Sequence, residues 1–240
     1  MSGDWTGDPR VGKLDASVMA FYKARLEDAK TNNYGTELEH LIQSTIDHTR
    51  HVLGNVPVVC EKIGSSPVAI DFAAALCHDL DRVSYQRDFP EYTSLEKPAW
   101  FSLKNGGHGI LSSLMCGKYL DKAGFFAPEK SEIIASIAVH DDRFVTKGMG
   151  YFPFVLIMSD KLDRFGDEGA RRLYENRRDL FDKKLGRKLN HEEAVRSSKE
   201  TMNSTLETLK KMDIPDKLLQ HMMEKYEKGN KFLASFMSYP

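Results

Sequence analysis

Six residues in the middle of the chain carry side chains able to share a metal ion. They are His48 in "DHTRHV", His78 and Asp79 in "LCHDLD", His108 in "GGHGILSS", His140 in "AVHDDR" and Asp160 in "IMSDKLD". Imidazole and carboxylate together suit Fe, Mn, Co, Ni or Zn, with Mg as the harder alternative, at a hydrolytic or redox centre. Adjacent histidine and aspartate point in different directions on a helix. Asp79 can therefore approach the ion of His78 from the side or bridge to a second one. On this reading His48, His78, Asp79 and Asp160 complete one site with water in the open positions, and His108 and His140 are the extra ligands of a second. Two ions about 3.5–4 Å apart would clamp a phosphoryl group and supply an activated water. Asp79, beside that water, is also the candidate proton acceptor.

The gaps between these residues are 30 (48 to 78), 29 (79 to 108), 32 (108 to 140) and 20 (140 to 160). Each is about one helix plus a connection, so an antiparallel bundle could aim one end of every helix at a common centre. The local patterns agree. Leu14, Val18, Phe21, Tyr22 and Leu26 recur at helical spacing over 14–31. Thr36 with Glu39 has the spacing of a capping box and opens a helix running to about Lys62. Ser66–Pro67 starts a helix that carries "VAIDFAAALCHDL" to the doublet. Further helices are expected over 107–122, from Pro128, from Pro153, and in three stretches beyond Gly166, the first of them "GARRLYENRRDLFDKKLG". Strand alternation is hard to find, so the expected fold class is all-α. Residues 81–105, aromatic, charged and twice broken by proline, suggest a lid or binding loop.

The composition is that of one globular unit. The chain has 240 residues, 41% hydrophobic, and a formal net charge of −1, so bulk charge names no polyanionic partner. Cys60, Cys77 and Cys116 are odd in number and lack C-x-x-C spacing, which favours reduced thiols in the cytoplasm. The first ten residues are polar, and no apolar run approaches the ~20 residues of a membrane span. A soluble protein without a membrane partner is expected. Residues 171–188 hold eight basic and three acidic residues, a local charge of +5, with Tyr174 and Phe181 available for stacking. We prefer to read them as an amphipathic helix with a charged outer face, not a nucleic-acid site.

"HTRHV" (48–52), followed by "LCHDLDR" and then "SDKLDR", resembles the HD superfamily of metal-dependent phosphohydrolases, whose signature is H…HD…D on an all-α scaffold. The resemblance covers roughly residues 36–165. It implies metal-ligand roles for His48, His78, Asp79 and Asp160, and it matches His108 and His140 to the extra histidines of the two-metal branch. That branch includes cyclic-dinucleotide phosphodiesterases and, by divergence, diiron oxygenases. No Gly-Tyr-Pro motif follows the doublet, so cyclic di-GMP is not favoured. The implied organisation is an N-terminal helix packed on the core (1–35), the metal-binding domain (36–165) and a C-terminal helical extension of the same unit (166–240).

The resulting expectation is a phosphohydrolase that attacks an ester of a nucleotide or other small phosphorylated metabolite. Lys161, Arg143, Arg82, Lys104 and His51 are the candidate substrate contacts, and Tyr85, Tyr92, Trp100 and Phe101 could stack on a base. Asp163 is expected as a salt-bridge group beside the ligands, and His40 is the fallback ligand. A homodimer is compatible with the sequence. Two alternatives stay open: a diiron oxygenase oxidising a C–H bond, and a helical binding or regulatory module without enzymatic activity.

Overall fold

The computed structural model describes residues 7–32, 36–84, 107–140, 148–179, 181–182 and 187–236. Among them are nine α-helices: α1 (Pro9–Thr31), α2 (Thr36–Lys62), α3 (Ala69–Cys77), α4 (His108–Ala123), α5 (Ala127–Ala138), α6 (Tyr151–Leu162), α7 (Gly166–Asp179), α8 (His191–Leu209) and α9 (Asp216–Phe236). The fold is all-α, as expected. A 3₁₀ turn over Leu80–Val83 follows α3. A short antiparallel ribbon pairs Phe181–Asp182 with Arg187–Lys188.

Several boundaries differ from the sequence expectation. Helix α1 starts at Pro9, five residues early. Asp8 accepts a bond from the Arg10 amide at 2.9 Å, so "DPR" is a cap followed by a first-turn proline. Helix α3 starts after Val68, not at Pro67, because the Asp71 carboxylate turns back onto the Val68 amide at 2.9 Å. The basic stretch is not one helix. It stops at Asp179 and gives way to the ribbon, whose two-residue strands are too short to leave an alternation in the sequence.

Helix α3 is the hub of the N-terminal layer, touching α1, α2, α4, α5 and α6. Its residues Asp71–Cys77 are all buried, and Ala73, Ala74 and Ala75 let neighbouring helices come close. Helix α2 packs along α6, where Asn55 donates to the Ser159 carbonyl at 3.0 Å. Helices α4 and α5 pair as a hairpin around Gly124, which adopts the left-handed conformation (φ 94°) that ends α4. A second layer, α7 with α8 and α9, leans on α2. No helix among the described residues is long and apolar enough to cross a membrane.

Candidate metal centre

Every one of the six sits at a helix end or just beyond one, Asp160 in the last turn of α6, except His48, which lies inside α2. Packing around α3 brings all six together. Two groups of three have ligand atoms mutually within 4.8 Å: His48, His78 and Asp160 form one, and Asp79, His108 and His140 the other. His48 Nε2 lies 3.0 Å from His78 Nε2 and 3.1 Å from Asp160 Oδ1.

Asp79 stands between the groups. Its Oδ2 is 3.4 Å from His48 Nε2 and 3.5 Å from His78 Nε2. Its Oδ1 is 3.6 Å from His108 Nδ1 and 3.9 Å from His140 Nε2. Asp79 thus faces both groups. The histidine rings follow in sequence around it, His48 to His78 at 5.0 Å, His78 to His140 at 5.3 Å and His140 to His108 at 4.6 Å between centroids.

Hydrogen bonds on the outer nitrogens fix the ring orientations. His78 Nδ1 donates to the Ala75 carbonyl at 2.8 Å, and His140 Nδ1 to the Ile137 carbonyl at 2.6 Å. His48 Nδ1 donates to Asp163 Oδ2 at 2.5 Å. With Nδ1 protonated, the neutral rings of His78 and His140 turn an Nε2 lone pair inward. His108 reaches its place because α4 meets the end of α5 at a glycine. A Cβ on Gly109 would lie 2.7 Å from the Ile137 carbonyl oxygen and 3.1 Å from His140 Nδ1. The glycine that permits this close approach directly follows His108 in the sequence.

The carboxylates are charged and braced from outside. Burial works against ionisation of Asp79, but Arg82 and the surrounding histidines outweigh it and hold its carboxyl well below the usual range. The same balance, with Lys161 and His48 on the favourable side, keeps Asp160 ionised. Burial lowers His78, and burial with the neighbouring His108 and His78 lowers His140, so both rings stay neutral. Burial also disfavours a charged His48, yet Asp163, Asp160 and Asp79 raise it to about 9.

The donor set fits a divalent metal. Both Asp79 oxygens and His108 Nδ1 are buried without an acceptable hydrogen bond, although Arg82 Nε is 2.6 Å from Asp79 Oδ2 in poor alignment. Burying such groups unpaired costs on the order of several kcal/mol, which a cation among them would offset. Four histidines and two aspartates could then hold one or two transition-metal ions.

The candidate substrate contacts fare unevenly. Arg82 faces Asp79, and its side chain is 43% exposed. Lys161, expected on the substrate, is 2% exposed, and its ammonium bonds Asp160 Oδ2 at 2.8 Å, because α6 turns that side into the core. His51 is turned toward α7, with Arg172 on its Nδ1 at 2.8 Å. His40 bonds Asn176 at 3.1 Å, away from the centre. Lys104, Arg143, Tyr85, Tyr92, Trp100 and Phe101 lie outside the described residues, as does all but the first turn of the expected lid. Tyr174 is not free to stack on a base, since it is buried and stacked on Phe236 at 4.8 Å.

Two further residues went unnoticed in the sequence. Asp81 is fully buried, accepts from Ser112 Oγ at 2.7 Å and lies 3.6 Å from His108 Nδ1. Its only sequence signal is a second acid so soon after an apolar helix. Arg172, which pairs with Asp163, has no signal, being 124 residues from His48.

No protein-family model matches the chain, and neither does any curated protein or solved structure.

Proposed function

We propose that the chain is a metal-dependent phosphohydrolase of the HD type, acting on a phosphate ester of a nucleotide or other small phosphorylated metabolite. One observation carries the proposal. The ordered set His48, His78–Asp79, His108, His140 and Asp160 converges on one buried centre in two groups with Asp79 between them. Divalent ions bound there would polarise the phosphoryl oxygens and supply an activated water.

The chain's own groups do the rest. His48, His78 and Asp160 hold one half of the centre, and His108 and His140 the other. Asp79 spans both halves and would accept the proton of a water bound between them. Arg82 balances the Asp79 charge with Nε and, being partly exposed, is among the described residues the candidate cation best placed to meet an incoming phosphate. Lys161 and Arg164 stay on the outer oxygen of Asp160, at 2.8 and 3.8 Å, and keep its inner oxygen turned toward the centre.

The test is phosphate release from a panel of nucleotides and sugar phosphates, with added Mn²⁺, Fe²⁺ or Co²⁺ and Asp79→Ala as control. Metal-dependent release that the variant loses is the expected result. Protein that binds two irons but releases no phosphate points to oxygenase chemistry at the same residues. Protein that neither binds metal nor releases phosphate overturns the enzymatic reading.

A further inference from the structure

We infer that α7 is part of the metal centre's support: Arg172, acting through Asp163, is a positioning residue for His48. The inference rests on the metal-centre reading above and adds to it a role for the C-terminal layer, to which the sequence assigned none.

The connection is a continuous chain of contacts. Asp163 closes α6 and is 5% exposed, and its Oδ2 takes the His48 Nδ1–H at 2.5 Å. The same oxygen is bonded by Arg172 Nη2, which also donates to the Asp163 carbonyl at 2.9 Å. Arg172 Nη1 donates to His51 Nδ1 at 2.8 Å, one turn along α2 from His48. The guanidinium thus clamps Asp163 and α2 together from one side, with its side chain only 13% exposed.

Two features separate this from an ordinary ion pair. His78 and His140 rest on backbone carbonyls, whereas His48 rests on a carboxylate. A carboxylate partner both orients the ring and raises its basicity toward a metal. The carboxylate is in turn set from a different helix. Helix α7 comes near enough because residue 169 is glycine, where a Cβ would fall 2.7 Å from the Arg164 carbonyl carbon. Arg172 lies three residues on, over Asp163.

Titration of the 240-residue chain with CoCl₂, followed by calorimetry and visible absorption, tests the assignment. The wild type is expected to take up two equivalents. Asp163→Ala and Arg172→Met should weaken one of the two binding steps by about 10- to 100-fold and alter its absorption band. Asp163→Asn, which still accepts from His48, should restore part of the loss. His140→Ala should instead remove the other step. If Asp163→Ala does not fold, Arg172→Met and Asp163→Asn carry the comparison. Two unchanged binding steps in Arg172→Met and Asp163→Asn, with only thermal stability lowered, would reduce the contacts to a structural ion pair and overturn the inference alone. A wild type that binds no cobalt overturns the metal-centre reading and the inference with it.

Discussion

His48 and His78 hold their Nε2 atoms 3.0 Å apart while the Nδ1 of each is engaged elsewhere, on Asp163 and on the Ala75 carbonyl. As neutral rings they would face lone pair to lone pair. A cation between them removes that conflict, whether a proton on His48 or a metal ion.

Metal addition should therefore stabilise the fold. At 100 times its dissociation constant a single ion adds about 2.7 kcal/mol. For a chain of this size that is a rise in Tm of roughly 5–10 °C. Thermal melts with and without Co²⁺ measure it, and Asp79→Ala should lose most of the shift. An unchanged wild-type Tm at millimolar Co²⁺ would contradict the prediction.

Gly109→Ala should damage one half of the centre. The added Cβ would meet the Ile137 carbonyl oxygen at 2.7 Å, so α4 and α5 must part beside His108 and His140. Overpacking of this kind costs about 1–3 kcal/mol. We expect a lower Tm and the loss of one bound equivalent of metal, with the His48 half retained. Two tight equivalents in the variant would show that the approach is not needed.

Asp71 predicts a pH dependence away from the site. Burial raises its pKa to about 6, only partly offset by the Val68 amide that bonds it, and its Oδ1 has no hydrogen bond. Because the folded pKa lies above the unfolded value of 3.8, the folded state holds the extra proton between them. Its contribution to stability is complete below pH 3.8 and lost as pH rises through about 6. At neutral pH the loss is on the order of 1–2 kcal/mol after solvent screening. Asp71→Asn keeps an acceptor for Val68, so it should melt higher than wild type at pH 7.5 and level with it near pH 4. A difference that is constant with pH would rule out ionisation as the cause.

His191→Ala should affect stability without affecting the chemistry. His191 Nδ1 accepts from the Tyr174 hydroxyl at 2.8 Å, and its Nε2 donates to the Phe236 carbonyl at 2.9 Å, tying α7, α8 and α9 together. Losing both bonds should cost about 1–3 kcal/mol. Phosphate release per folded molecule, measured well below the melting range, should stay at the wild-type level. A selective loss of activity there would place this cluster nearer the chemistry than its geometry does.

Much of the architecture was legible because buried helices repeat their apolar residues at helical spacing, as α2 and α6 do. The candidate ligands were legible for a different reason. Asp160 stands in "VLIMSDKL", where a carboxylate needs a partner, and the other ligands recur one helix apart. Of the supporting groups, Asp163 was legible as a salt-bridge residue one turn beyond Asp160, but Arg172 was not, because it sits on α7 and only the packing of the helices brings it to Asp163. The burial of Lys161 was not legible, because a lysine beside a candidate ligand carries the same sequence signal whether it faces solvent or core. Gly109 was overlooked for a related reason: its importance lies in the Ile137 carbonyl, 28 residues away.

His78 and His140 each bond a carbonyl three residues back, at the final turn of α3 and of α5. Those carbonyls are among the acceptors a helix end leaves unmatched. Each imidazole therefore finishes its helix with one nitrogen and faces the centre with the other. Fraying of either helix terminus would release a ligand in the same event. Amide exchange in the last turns of α3 and α5 thus becomes a direct readout of occupancy, slowing when the centre is filled and recovering when a chelator empties it.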